Sequence, residues 1–309
     1  MSKIDVCLDS CLSYDKVALQ RLMQRQFDQL GVQPDLSGKR VLLKPNLISG
    51  GAPPLACSNP KFAAAVAAVY LSRGAKVMLG DSPAFGTGAQ VMKRQGFKPH
   101  FADLAVEYVP FSNRVVETLS CGIRIGVAAD ALDCDYLVNL PRIKAHDQMG
   151  VTMAVKNIFG IVIGARKALL HMRVGGGRQL FSEMILDLHS LLPPSFVCAD
   201  AIEVMNGEGP VKGTSLVVGC LASSWNAVAI DRAMLAVLEI DKKRIPLAVS
   251  AAEKGLGGSS LGDLTFPHSR PEDFKGSGFA VPGSLAPVRF SPLRYVKNSL
   301  KRVLLRLDP

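Results

Sequence analysis

Between Tyr136 and Gly160 the chain sets Asn139, Arg142, Lys144, His146, Lys156 and Asn157 close together. Apolar sequence surrounds them: Tyr136-Leu137-Val138 comes before, and Gly150–Val155 lies between the two polar groups. Lysine and arginine normally stay in water, so cations and amides alternating with buried-type sequence read as the lining of a site. Lys144 and His146 are the strongest pair. In extended backbone, positions two apart share a face, which turns both toward one cleft. A nearby lysine lowers a histidine's pKa and favours neutral imidazole, the form that works as a general base. Arg142 falls on the opposite face if the chain is extended only to Ile143 and bends later. If Gly150–Phe159 is a helix, Thr152 and Lys156 share a face. Lys156 is then a partly buried cation in need of an anionic partner, either a substrate or Asp81. Plainer roles stand beside these: His146 as a hydrogen-bonded structural residue, and Lys156 as a lysine snorkelling to water.

Three further apolar runs end in comparable residues. Lys44 and Asn46 follow Val41-Leu42-Leu43, with Pro45 fixing the backbone between them. Asp81 and Ser82 follow Val77-Met78-Leu79 and open a small-residue loop, Gly80–Gly88, whose amides could hold a phosphate or carboxylate. That loop is neither a Walker A loop nor G-x-G-x-x-G, so it names no nucleotide. Its Gly80-Asp81-Ser82 resembles lipases of the GDSL type. Those need a later Asp-x-x-His, however, and Asp187-Leu188-His189 has the wrong spacing. Asp200 follows Phe196-Val197-Cys198. His171, with Lys167 and Arg173, precedes Gly175–Gly177 in a basic loop suited to close over an anion. No spacing such as H-x₃-H supports a metal, and none is assigned.

In open α/β sheets ligands bind beyond the carboxyl ends of the strands. A strand buried on both faces cannot hold charge, so its first polar positions lie at that rim. If the strands are parallel neighbours, these groups converge. His146, Lys144 and Asp81 then form a catalytic set for protons. Lys44, Asn46, Ser82, Asn139, Lys156, Asn157, His171 and Asp200 form a binding set for an anionic small molecule or cofactor.

The elements that must position them follow from periodicity. Strands are expected at 4–8, 40–43, 76–79, 136–140, 196–199 and 216–221. Helices are expected at 15–30, 59–73, 87–95, 150–159, 181–192 and 226–238. Alternation of this kind predicts an α/β fold with a mostly parallel sheet and helices on both faces, Rossmann-like. Residues 101–128 form an excursion that would make a small subdomain. Residues 255–290, rich in Gly, Pro and Ser, read as a linker. The α/β domain is taken as 1–285 and a basic amphipathic C-terminal helix as 286–309. Within that helix, Ser291–Leu307 spaces Leu293, Val296, Leu300, Val303, Leu304 and Leu307 on one face, with basic residues mostly opposite. It suits a membrane surface, a protein partner, or packing on its own domain.

Composition sets outer limits. The chain has 309 residues, 48% hydrophobic and only 6% aromatic, which favours helices on a sheet over a β-sandwich. A net charge of +10 attracts anionic partners, yet no nucleic-acid motif is present, so no specific nucleic acid is expected. No apolar run reaches the roughly 20 residues that span a bilayer, and no export signal follows Met1. The cysteines are odd in number and scattered, as in reduced cytoplasmic proteins. The expected location is the cytoplasm, peripheral to a membrane if the C-terminal helix docks there.

Lys44-Pro45-Asn46, Gly80–Pro83, Asn139–His146, Ala154–Gly160, Leu170-His171-Met172 and Asp200–Pro210 occur in order. Together they resemble the domain-of-unknown-function 362 family from about Val41 to Asp241. Many relatives carry a ferredoxin-like segment with Cys-x-x-Cys spacing that binds iron–sulfur clusters. This chain has no Cys-x-x-Cys and so no iron–sulfur motif. The resemblance implies an enzyme of oxidoreductase type that takes electrons from an external partner. Its cofactor and reaction are unassigned. The alternative is a non-catalytic carrier or assembly protein that holds a cofactor or metal and docks through the basic helix.

Overall fold

A computed structural model describes residues 3–163 and 178–286. The chain opens with β1 (Ile4–Asp5), β2 (Cys7–Ser10) and α1 (Lys16–Gln29). Next come β3 (Arg40–Pro45), α2 (Pro60–Ser72), β4 (Lys76–Leu79), α3 (Gly88–Arg94), α4 (Phe97–Phe101) and β5 (Val106–Tyr108). β6 (Arg114–Thr118) and β7 (Arg124–Ala128) form a separate antiparallel hairpin, followed by α5 (Ala129–Leu132). Then come β8 (Tyr136–Leu140), β9 (Arg142–His146), β10 (Gly150–Thr152), α6 (Ala154–Asn157) and α7 (Arg178–Leu188). The remainder comprises β11 (Ser195–Asn206), β12 (Thr214–Ser224), α8 (Ala227–Val237), α9 (Pro246–Glu253) and β13 (Leu264–Thr265).

The main sheet is mixed but mostly parallel. Its order is β10-β9-β11-β8-β3-β4-β5, with β12 antiparallel to β11 and β2 antiparallel to β12. From β3 the chain builds outward through β4 and β5. It then returns to pair β8 with the other edge of β3 and β11 with β8, all in parallel. The direction of growth reverses between β3 and β8, where Lys44 stands opposite Asn139. A crevice opens at such a point because the connections leave it on opposite sides.

Strand alternation explains the layers. Val41 and Leu43 pack with Phe27 of α1 and with Phe62, Val66 and Tyr70 of α2. Leu42 and Leu137 face the other way, toward Ile125 and Val127 of the hairpin and Phe181 and Ile185 of α7. A third cluster joins Ile230 and Met234 of α8 to Val197, Ala199 and Ile143. Fully burying each Val, Leu, Ile, Phe or Met among them contributes about 1.5–3 kcal/mol. The helix starts are set locally. Asp15 accepts from Ala18 N–H, Asn59 from Lys61 N–H, and Asn226 from Ala229 N–H.

Several elements differ from expectation. The first strand splits in two. Gly150–Phe159 is not one helix; it is β10, folded antiparallel onto β9, followed by the single turn α6. The expected strand 196–199 does not end before Asp200, since β11 runs on to Asn206 beside β12. Residues 255–286 are no free linker. Leu264 is buried, β13 pairs with β1, and Phe266, Phe274 and Phe279 pack on the third cluster. No helix among the described residues is long and apolar enough to cross a membrane. His171 and the C-terminal helix expected beyond residue 286 lie outside the described residues.

Candidate functional site

A cavity of about 320 Å³ lies beyond the carboxyl ends of β3 and β4 and against β9. Lys44, Asn46, Asp81, Ser82, Lys144, His146, Lys156 and Asn157 line it, with Thr152 beside them. Leu47, Ile48, Phe85 and Phe159 supply apolar wall.

Lys44 is the last-but-one residue of β3 and is 1% exposed. Its Nζ donates to Asp81 Oδ1 at 2.7 Å and to Pro45 O at 2.7 Å. Asp81 Oδ2 accepts from Leu47 N–H at 2.8 Å, so both carboxylate oxygens are engaged. Burial pushes the Lys44 amine below the usual lysine value, against the pull of Asp81. Gly160 closes over the pair: a β-carbon there would collide with both Asp81 Oδ1 and Lys44 Nζ. Asp81 therefore serves as the counter-ion of Lys44. It makes no hydrogen bond to Lys144 or His146, as a catalytic partner of theirs would.

Lys144 and His146 share a face of β9, as expected. So does Arg142, contrary to expectation, because β9 stays extended from Arg142 to His146. Lys144 Nζ donates to Asn46 Oδ1 at 2.9 Å and to Ala56 O. Both acceptors are neutral. Burial, then the charges of Lys156 and Arg142, lowers the Lys144 amine to about 7. Lys156 has no hydrogen-bond or ion-pair partner among the described residues. Its side chain is only half-buried, because its end opens on the cavity. Protein still surrounds the amine closely enough to lower it to about 8, with Asp147 pulling the other way.

His146 is 8% exposed. Burial, then the charge of Lys156, pushes its imidazole well below the usual histidine value, so the ring is neutral near pH 7. Its Nδ1 lies 3.1 Å from Gln148 N and 3.2 Å from Asp147 Oδ1. Accepting from the amide leaves the proton on Nε2; donating to the carboxylate leaves Nε2 as a base. Either tautomer can carry a proton.

Asn139 sits behind the wall. It donates to Ala154 O at 2.8 Å and accepts from Asn157 Nδ2 at 2.7 Å. It orients Asn157 and does not itself line the cavity. Asp231 of α8 does similar work: Oδ1 accepts from Ala154 N–H at 2.7 Å and Val155 N–H at 3.3 Å, capping the turn that carries Lys156. Burial raises this carboxyl to about 8 despite those amides. An acid within the apolar run Ala227–Val237 was the signal for it. Gly160 carried no signal beyond being a glycine. Thr152 Oγ1 is buried and without a hydrogen-bond partner among the described residues.

Asp200 stands apart from the cavity. It lies mid-strand in β11, fully buried, receiving Arg142 Nη1 at 3.0 Å and Tyr14 Oη at 2.9 Å. Arg142 also stacks over the Tyr14 ring, 5.6 Å from its centroid. These residues form a second polar cluster outside the cavity lining. Among the described residues no group of three His, Cys, Asp or Glu side chains is placed to hold a metal ion.

Fold and site together define a mixed α/β protein that keeps a lysine-rich cavity beyond its parallel strands. The family described as Domain of unknown function (DUF362) matches residues 41–236, and the chain belongs to it. A relative, thylakoid-associated protein sll1697 of Synechocystis sp., is 33% identical over 301 residues, 95% of this chain and 92% of that protein. Among solved structures, the lactate racemase apoprotein from Thermoanaerobacterium thermosaccharolyticum is similar at a TM-score of 0.48 and 16% identity. The match covers 75% of this chain and 57% of that one, so this chain spans little more than half its length.

Proposed function

We propose that the cavity binds a small anionic molecule and that the protein is an enzyme acting on it. One observation carries this reading: Lys144 and Lys156 share a single cavity, and among the described residues neither has a carboxylate within ion-pair distance. Two amines confined together, neither paired with a carboxylate, favour an anion from outside. The order β5-β4-β3-β8-β11 supports a Rossmann-like reading of the parallel core, with the cavity at its switch point. Within it, the Lys144 amine at about 7 is suited to exchange protons near neutral pH, and His146 stays a neutral imidazole that can donate or accept a hydrogen bond.

Calorimetric titration with inorganic phosphate at pH 7 tests the anion site. Lys156→Met should weaken binding about tenfold, or about 1.4 kcal/mol. Phosphate that fails to saturate, or binds the variant equally well, sinks the reading. Turnover is tested by incubating the protein with a small-molecule extract and comparing anions by mass spectrometry. An enzyme depletes one anion and generates another, and His146→Gln loses that conversion. A carrier leaves the extract unchanged.

The thylakoid association in the relative's name favours one further proposal, peripheral membrane contact through Ser291–Leu307. Anionic vesicles should sediment the full chain and not a chain ending at residue 285. Equal sedimentation of both removes the helix from the account.

A further inference from the structure

We propose that Lys156 is a covalent amine, which condenses with the carbonyl of a small aldehyde or ketone acid to form an imine. The inference rests on the anion-site reading and adds the substrate class. The three lysines of the cavity are not equivalent. Lys44 is held by Asp81 and Pro45 O, and Lys144 by Asn46 and Ala56 O. Lys156 alone of the three makes no hydrogen bond among the described residues, and its side chain ends in the cavity. Only an uncharged amine attacks a carbonyl. Lowered to about 8, about one Lys156 amine in ten is neutral at pH 7, against about one in three thousand for an ordinary lysine.

A second observation points to the same ligand. Thr152 Oγ1 lines the cavity, is buried, and has no partner among the described residues. An unpaired buried hydroxyl costs about 1–3 kcal/mol, and a carbonyl oxygen would satisfy it. Lys144 lines the same cavity, and its protonated form can hold the acid group. The volume of about 320 Å³ sits at the low end of ligand cavities, which suits a small acid. Phe85, Phe159 and Ile48 give the cavity apolar wall for the carbon end of such an acid.

The step balances without an oxidant or cofactor. The Lys156 lone pair forms the new C–N bond while the carbonyl π pair moves to oxygen. A proton passes from nitrogen to that oxygen, giving a carbinolamine. The proton remaining on nitrogen then passes to the hydroxyl, the C–O electron pair leaves with that oxygen as water, and the nitrogen lone pair closes the C=N bond.

The experiment uses the full chain with glyoxylate, and separately pyruvate, in the presence of sodium cyanoborohydride at pH 7. Peptide mass spectrometry locates the reduced adducts. Lys156 should label at least about tenfold faster than any other lysine, inorganic phosphate should slow that labelling, and Lys156→Arg should lack the adduct. Labelling spread over surface lysines with no preference for Lys156 overturns the proposal. If phosphate still saturates the wild-type protein in that case, the anion site survives alone. If phosphate neither binds nor protects, both readings fall. The wild-type map decides the matter even if the arginine variant does not fold.

Discussion

Replacing Asp81 with alanine separates a structural carboxylate from a catalytic one. Lys44 and Asp81 are 1% and 2% exposed and meet at 2.7 Å. Removing one partner of such a pair leaves an uncompensated buried charge, which costs about 3–5 kcal/mol. The variant also strips Leu47 N–H of its acceptor, a loss of about 1–3 kcal/mol if the amide stays buried. These terms overlap, so the expected loss is about 4–6 kcal/mol. With a urea slope of about 3 kcal/mol per M, the unfolding midpoint should fall by about 1.5 M. Adding Lys44→Met removes the orphaned ammonium, and the double variant should recover at least about 2 kcal/mol of that loss. Urea unfolding followed by circular dichroism measures all four corners of the cycle. A single variant within about 1 kcal/mol of wild type, or a double variant that loses the sum of both singles, would show that Asp81 is not the counter-ion of Lys44.

Gly160→Ala should destabilise by about 1–3 kcal/mol or more, because the new methyl group must push apart Asp81 and Lys44; thermal melts check it. Asp231→Ala frees two buried amides at the start of α6 and should cost about 2–3 kcal/mol in urea. It should also weaken phosphate binding, since Lys156 and Asn157 ride on that turn. Lys144 and Lys156 titrate at about 7 and about 8 when folded, against about 10.4 in an unfolded chain. Between those values the folded state binds fewer protons, so their contribution to stability grows as pH rises from about 7 to about 10. Urea midpoints should rise less with pH in K144M/K156M than in wild type between pH 8 and 10, and equal slopes would refute the assignment.

Much of the site was legible because strand ends write themselves as apolar runs followed by polar residues. Lys44 and Asp81 come together for that reason, whereas Lys144 joins them from the middle of β9. Asp200 shows where the rule breaks. Nothing local distinguishes a strand that ends at a charge from one that continues past it, and β11 continues because β12 and β9 flank Asp200 on both sides. Arg142 shares the face of Lys144 and His146, against the bend expected after Ile143, through the same kind of gap. Pro141, which lacks an N–H, interrupts the ladder before Arg142, and the strand then restarts and holds its period to His146. The apolar run after Gly150 suits a buried strand as well as a helix, and the decision for β10 comes from pairing with β9. Capping by Asp231 and closure by Gly160 are tertiary facts, visible only once distant elements meet.

The reversal of strand order between β3 and β8 has a kinetic consequence. Lys44 and Asn157 are 113 residues apart in the chain, and Lys144 and Asn46 are 98 apart. The Lys44–Asp81 pair spans only 37 and can form within the first half of the sheet. Contacts that close long loops form late, because their entropy must be met before they gain anything. The first half can therefore assemble around Lys44 and Asp81 while the cavity does not yet exist. A bound anion would then report the last pairing in the sheet, and the time at which refolding protein first binds phosphate would time the docking of its two halves.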